Sequence, residues 1–156
     1  MTTIVGYDAQ ANPVTVDKEN LLFCPAAYAV YIENNEVLLL REAETDLFCW
    51  PGNTLASGEP PTQAVSRAFH RLTGVIPFVG PLIYTEALYR VDENGRPYHL
   101  AALDYLLERP STSPISLAPI TDTLQPEMVA AASVQRSQLQ FGRQALQVAL
   151  QRLKAA

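Results

Sequence analysis

The chain has 156 residues, of which 48% are hydrophobic and 17% are charged, and its formal net charge is −5. This length and composition are typical of one globular domain with its own hydrophobic core, and they exclude long disordered segments. An acidic surface repels a nucleic-acid backbone, so no nucleic acid polymer is expected as a partner. A small phosphorylated ligand is still allowed, because local charge can oppose net charge.

The sequence also bears on the compartment. The N-terminus has no basic region followed by an apolar core, and no apolar run approaches the roughly 18 residues of a membrane helix. We therefore expect a cytoplasmic protein with no membrane partner. The two cysteines, Cys24 and Cys49, form no CxxC pair. They are expected to be reduced, buried thiols, and the sequence leaves a disulfide between them open.

The first part of the chain is predicted to be mainly β-structure. Residues 1–20 are expected to form a loosely attached arm or a small hairpin around Ala11-Asn12-Pro13. Residues 21–156 are predicted to form a single domain. It begins with two strands over 26–32 and 36–41, joined by a turn-prone Glu-Asn-Asn sequence.

A helix is predicted over 62–72. The sequence Pro60-Pro61-Thr62 opens it, because proline is tolerated in the first turn, where its missing N–H costs little. Apolar residues recur at helical spacing along one stripe, at Ala64, Val65, Ala68, Phe69 and Leu72. Thr73-Gly74 ends the helix, since glycine accepts the left-handed conformation of a C-terminal cap.

The second half of the chain repeats the order of strands followed by a helix. Two strands over 82–91 and 98–107 flank an Asn-Gly pair, a strong hairpin signal. A Pro/Ser-rich loop follows over 109–119, then a last strand over 127–134 and a helix over 143–153. This order predicts an α+β fold, an α/β/α sandwich with a mixed sheet.

Residues 53–75 resemble the Nudix box, the signature of the Nudix hydrolase family. The box reads G-x5-E-x7-R-E-U-x-E-E-x-G-U, where U is a bulky apolar residue. The matching positions are Glu59, Arg67, Phe69, Gly74 and Val75. The order of elements over 20–153 also fits the family, so the resemblance implies a Nudix-type α/β/α sandwich with a mixed β-sheet.

The box departs from the family pattern where the resemblance places metal ligands. Asn53 replaces a glycine, and Ala68, Arg71 and Leu72 replace three glutamates. In Nudix enzymes those glutamates hold Mg²⁺ or Mn²⁺, which neutralises the pyrophosphate and helps to activate water. Ala68 and Leu72 offer no oxygen ligand, and Arg71 brings a positive charge. No metal cofactor is therefore expected, and the box is interpreted as degenerate.

Two functions follow from this resemblance. In the first, the protein binds a nucleotide-type or other phosphorylated ligand, or a partner, without efficient hydrolysis. The alternative is an active pyrophosphohydrolase for a nucleoside diphosphate linked to a group X. It would use acidic residues outside the metal-binding positions of the helix, with Glu59 and Glu127 as candidate catalytic residues and as weak candidate ligands of Mg²⁺ or Mn²⁺.

The resemblance also implies positions that contact a ligand. The candidates are Arg41, Trp50, Gly52, Arg67 and Arg71. Trp50 would either stack on a base or pack in the core, and Arg71 would either grip a phosphate directly or be solvated. Glu59 and Arg67 are expected to brace the loop against the helix. Because Nudix proteins are often dimers, a homodimer is included among the expected partners.

Overall fold

The computed structural model of the protein describes residues 2–110 and 114–155. Its strands are β1 (Thr3–Tyr7), β2 (Pro13–Asp17), β3 (Leu22–Glu33), β4 (Glu36–Glu42), β5 (Phe48–Cys49), β6 (Gly52–Thr54), β7 (Phe78–Val91), β8 (Pro97–Glu108) and β9 (Leu124–Ala130). Its α-helices are α1 (Pro61–Thr73) and α2 (Arg143–Ala155). Short 3₁₀ turns lie at Lys18–Asn20, Ala131–Ser133 and Arg136–Gln138.

The N-terminal strands β1 and β2 form a hairpin. β1 and β2 pair antiparallel along their whole length. The Asp8 carboxylate accepts hydrogen bonds from the N–H groups of Gln10 and Asn12, and these bonds close the turn. Tyr7 also pairs in parallel with Arg90 of β7, so the hairpin continues the main sheet at its edge.

The main sheet is mixed, as predicted. β3 and β8 pair in parallel from Leu22↔Tyr98 to Tyr31↔Leu107, and β7 and β8 form the antiparallel hairpin around the Asn-Gly pair. On its other side β3 pairs with β4 only near their shared turn, and with β6 further back. β4 continues into a second antiparallel ladder with β9 and β5. The sheet therefore splits beyond β3 into two ladders.

The two helices cover opposite faces of this sheet. Ala29 and Val30 are neighbours on β3, so their side chains point to opposite faces. Ala29 packs in a cluster with Val65 and Phe69 of α1, and Val30 packs in a cluster with Leu146 of α2. The predicted α+β fold, an α/β/α sandwich with a mixed sheet, is confirmed. Both predicted helices are present, each within two residues of its expected bounds.

The last strand differs from the prediction. It was expected over 127–134, but β9 ends at Ala130 and a 3₁₀ turn follows. Ala130 pairs with Glu36, the first residue of β4, so the ladder has no partner beyond it. The N–H of Ala131 donates instead to the carbonyl of Asn35, at 2.9 Å. Apolar residues continue past Ala130 in the sequence, and for this reason the strand was predicted to end later than it does.

The prediction for the cysteines needs a correction. Both cysteines are free thiols, but they are half-buried rather than buried. Cys24 lines an open cavity, while burial raises the pKa of Cys49 to about 11.

The predicted loop over 109–119 includes residues 111–113, which lie outside the described residues. Among the described helices, none is long and apolar enough to cross a membrane.

Candidate functional site

The loop before α1 is braced against the helix by an ion pair. The Arg67 guanidinium donates to one oxygen of the Glu59 carboxylate. The other oxygen accepts from the N–H of Ala56, at 3.2 Å. The bond to Arg67 lowers the pKa of Glu59, so the carboxylate is ionised and already occupied. The predicted brace between Glu59 and Arg67 is therefore present.

The three helix positions that depart from the box lie in different environments. Arg71 is exposed, Ala68 is half-buried and Leu72 is only 1% exposed. Leu72 therefore belongs to the core. Its carbonyl accepts a hydrogen bond from the N–H of Ala118, at 3.0 Å, so the segment after 114 runs along this end of the helix. This arrangement leaves no continuous open face of ligands on α1.

Glu127, a candidate catalytic residue, is held by Arg41. They lie on the paired strands β9 and β4, with Nε to Oε2 at 2.5 Å and Nη2 to Oε1 at 3.3 Å. Arg41 also donates to Asp46 at 2.9 Å and lies 4.4 Å from the centre of the Phe48 ring. These carboxylates raise the pKa of Arg41. Arg41 therefore has two carboxylate partners in the protein itself, and as placed it is not open to a ligand.

The donor set around the box does not fit Mg²⁺ or Mn²⁺. Hard cations require several oxygen ligands, and the helix presents none at Ala68, Arg71 or Leu72. Within 2–110 and 114–155, no three His, Cys, Asp or Glu side chains are grouped so that they could hold a metal ion. Glu59 and Glu127 each neutralise an arginine instead.

Trp50 and Gly52 have structural positions. Trp50 is 2% exposed and lies in the core cluster under α2, so of its two alternatives it takes the packed position in the core. Gly142, which precedes α2, lies directly over the Trp50 ring nitrogen, and a Cβ there would overlap it. Gly52 pairs with Tyr28 of β3, where a Cβ would overlap the Ala27 carbonyl. The close approach of two strands explains this glycine.

A large cavity lies beside the sheet, between the β1–β2 turn, the β7–β8 turn and the segment before α2. Its volume is about 1200 Å³. We call it the aromatic cleft, after the aromatic and apolar side chains that line it: Leu22, Tyr28, Tyr98, Leu100 and Phe141. The rings of Tyr28 and Phe141 meet edge to face, 5.1 Å apart. Thr54, the second residue of the box, is on its wall, whereas Glu59, Arg67 and Arg71 are not.

A smaller cavity of about 350 Å³ adjoins the aromatic cleft. Arg90, Gln140 and Phe141 line both cavities. Arg136 and Arg143 line the smaller one, which we call the arginine pocket. Neither cavity is predictable from the sequence, because their walls come from segments far apart in the chain. The one local indication was the Phe141-Gly142 pair before the predicted helix, which places an aromatic residue in a loop.

An acid lies beneath this region in the sheet. Asp104 of β8 is 0% exposed, and neither carboxylate oxygen has a hydrogen-bond partner among the described residues. Its neighbours in the sheet are Tyr28 and Tyr84. Burial, and after it the negative charge of Glu86, raises the pKa of Asp104 to about 7. Burial likewise raises the pKa of Tyr28.

Comparison with known proteins decides the fold. No protein-family model matches the sequence, and no curated protein matches it. Solved structures do match. The MutT Nudix hydrolase from Burkholderia pseudomallei is 18% identical, with a TM-score of 0.64 over 81% of this chain and 98% of that chain. The chain has the Nudix fold. The MutT protein from Methanosarcina mazei is 15% identical, with a TM-score of 0.62 over 86% of this chain and 97% of that one.

A third match is an ADP-ribose pyrophosphatase from Streptococcus suis. It is 13% identical, with a TM-score of 0.55 over 85% of this chain and 90% of that chain. Identities this low establish the Nudix fold and carry no role for any single residue. Function in this Nudix-fold protein must therefore be argued from its own side chains.

Proposed function

We propose that this protein binds a nucleotide-like, phosphorylated small molecule in the aromatic cleft and does not hydrolyse it efficiently at α1. One observation carries the proposal: Arg90 lies in a cleft of about 1200 Å³ together with Tyr28, Tyr98 and Phe141. Aromatic rings offer stacking surfaces for a base, and a guanidinium suits a phosphate. A similar structure carries the name of an ADP-ribose pyrophosphatase, so its named substrate is the first probe.

The chemistry of α1 argues against efficient metal-dependent hydrolysis. Leu72 is buried, Ala68 has no donor atom and Arg71 is a cation. Removal of one preorganised electrostatic group typically costs about 10²–10³ in rate, and here three carboxylates are missing relative to the family box. This loss is the reason we favour ligand binding over turnover.

The hydrolase remains the alternative function. It requires Glu59 to leave Arg67, or Glu127 to leave Arg41, before either could bind a metal or activate water. The resemblance to the Nudix family supports the hydrolase alternative, and the two ion pairs argue against it. The expected homodimer and the cytoplasmic location stay predictions.

The test is calorimetric titration of ADP-ribose, first in EDTA and then with Mn²⁺. We expect binding in EDTA, little effect of Mn²⁺, and no turnover. Tyr98→Ala should weaken binding, because Tyr98 lines the cleft. Tyr105→Ala is the control, since Tyr105 is also half-buried on β8 but packs on the side of α1. Mn²⁺-dependent hydrolysis, or equal losses from both variants in folded protein, would contradict the proposal.

A further inference from the structure

The geometry points to a metal-free binding site for a phosphate group at the N-terminus of α2, formed by Arg90, Arg136 and Arg143. This inference rests on the proposed function, because it names the part of the protein that holds the ligand's phosphate. It moves the phosphate away from α1, where the family box lies, to the opposite face of the sheet. The site is the arginine pocket of about 350 Å³.

Arg90 is the buried cation of this site. It lies on β7, is only 8% exposed and lines both cavities. Among the residues that the structure describes, no side chain or carbonyl accepts a hydrogen bond from it, and its guanidinium carbon lies 5.6 Å from the centre of the Phe141 ring. Arginine is rarely this buried without an anion beside it. The aromatic cleft also has acidic residues in its lining, but among the described residues the arginine pocket has none. On the side of the arginine pocket, the Arg90 guanidinium is therefore placed to receive an anion from solution.

Arg143 supports the same site independently. It is the first residue of α2, and its Nη1 atom is enclosed with no hydrogen-bond partner in the described part of the chain. An enclosed charged donor without an acceptor is strongly unfavourable. A ligand oxygen that accepted a hydrogen bond from it would remove this cost, and so would gain binding free energy. Arg136 is exposed at the rim, where it can reach a bound anion without a burial penalty.

The backbone adds to the positive potential. The first N–H groups of an α-helix have no partner within the helix, and the helix dipole favours an anion there. α2 has no acidic residue in its first turn. Glu86 is an acid whose pKa Arg136 lowers, but burial raises that pKa by more, so its net shift is upward. Three cations thus gather in one place on a chain whose net charge is −5.

The volume of the arginine pocket and its connection to the aromatic cleft indicate the class of ligand. A cavity of about 350 Å³ is at the lower end for small-molecule sites, so it suits a phosphate or pyrophosphate group rather than a whole nucleotide. The guanidinium fork matches two phosphate oxygens at once. Because Phe141 and Arg90 belong to both cavities, a ligand with its phosphate in the arginine pocket can extend its base into the aromatic cleft.

The experiment is calorimetric titration of inorganic pyrophosphate and of ADP-ribose, both in EDTA, into folded full-length variants. Arg136→Gln and Arg143→Gln should each weaken both ligands by about tenfold or more. Arg152→Gln is the matched control, because it removes the same charge from an exposed position in the last turn of α2. Arg136 is exposed, so Arg136→Gln keeps the test valid even if Arg143→Gln fails to fold.

The outcomes separate this inference from the proposed function. If Tyr98→Ala weakens ADP-ribose but the two arginine variants do not, the phosphate site is wrong and the aromatic cleft stands. If the arginine variants weaken both ligands and Tyr98→Ala changes neither, the phosphate site stands and the cleft proposal fails. Equal weakening by Arg152→Gln, or no binding of either ligand by the unaltered protein, would overturn the phosphate site.

Discussion

Arg41 and Glu127 lie diagonally to each other on the paired strands β4 and β9 and share two hydrogen bonds, at 2.5 Å and 3.3 Å. The glutamate that the family likeness nominates for catalysis is thus neutralised by an arginine from the neighbouring strand. Both side chains are 38% exposed, so water screens the pair. The pair adds little to the stability of the fold, but it occupies the Glu127 carboxylate, which is then not free to bind a metal.

The first prediction concerns this pair. Arg41→Gln removes the guanidinium and leaves Glu127 open to solvent. We expect the free energy of unfolding to fall by less than about 1 kcal/mol, as for other exposed ion pairs. We also expect no Mn²⁺-dependent hydrolysis of ADP-ribose, because one carboxylate does not complete a metal site. Appearance of turnover in this variant, measured as AMP formation by chromatography, would instead support the hydrolase alternative.

The second prediction restores ligands on α1. Ala68→Glu combined with Arg71→Glu places two carboxylates three residues apart on one side of the helix. Mn²⁺ affinity, measured by calorimetry, should rise above that of the unaltered protein. Ala68→Gln combined with Arg71→Gln is the control, because it changes size similarly without adding carboxylates. Equal Mn²⁺ affinity in both double variants would show that α1 does not present these positions to a cation.

The third prediction separates the last box position from the other two. Leu72 is 1% exposed, so Leu72→Glu would bury a carboxylate in the core and remove apolar contacts. The variant should lose several kcal/mol of unfolding free energy, in a range of about 2–5. Leu72→Met is the matched control and should cost less than about 1.5 kcal/mol. Urea denaturation gives both values, and a stable Leu72→Glu protein would argue against the buried position.

The fourth prediction follows from Asp104. Its pKa is raised in the folded protein to about 7 from 3.8, so the folded state holds a proton that the unfolded state has released between these values. Stability should therefore fall as pH rises from about 4 to 7, by up to about 1.4 kcal/mol per pH unit, and then level off. Asp104→Asn should flatten this dependence, whereas the exposed Asp122→Asn should not. Parallel pH profiles for both variants would refute the assignment.

The fifth prediction compares two glycines with similar backbone angles. Gly142 has φ of 87° and lies over Trp50, while Gly95 has φ of 76° and open space around it. Both Gly→Ala changes incur the left-handed strain of about 1–2 kcal/mol, but only Gly142→Ala also overlaps a ring, for about 1–3 kcal/mol more. Thermal melting should therefore fall further for Gly142→Ala. Equal melting temperatures would mean that Trp50 shifts without cost.

Local pattern was enough to locate most elements. The stripe of Val65, Phe69 and Leu72 at helical spacing predicted α1, and Gly74 marked its end, because helix periodicity and capping act over neighbouring residues. The Asn-Gly turn predicted the β7–β8 hairpin for the same reason. The departures from the box at 68, 71 and 72 are also properties of the sequence alone, and they decided that α1 lacks metal ligands.

The tertiary structure decided which candidates are available. Glu127 is 86 residues from Arg41, Trp50 lies under Gly142, and Arg90, Arg136 and Arg143 meet only because β7 and α2 pack on one face. Side-chain periodicity is local, whereas pairing between distant strands and helices sets burial and charge neighbours. A single sequence therefore predicted the fold, and the folded chain placed the cavities and brought the three arginines together.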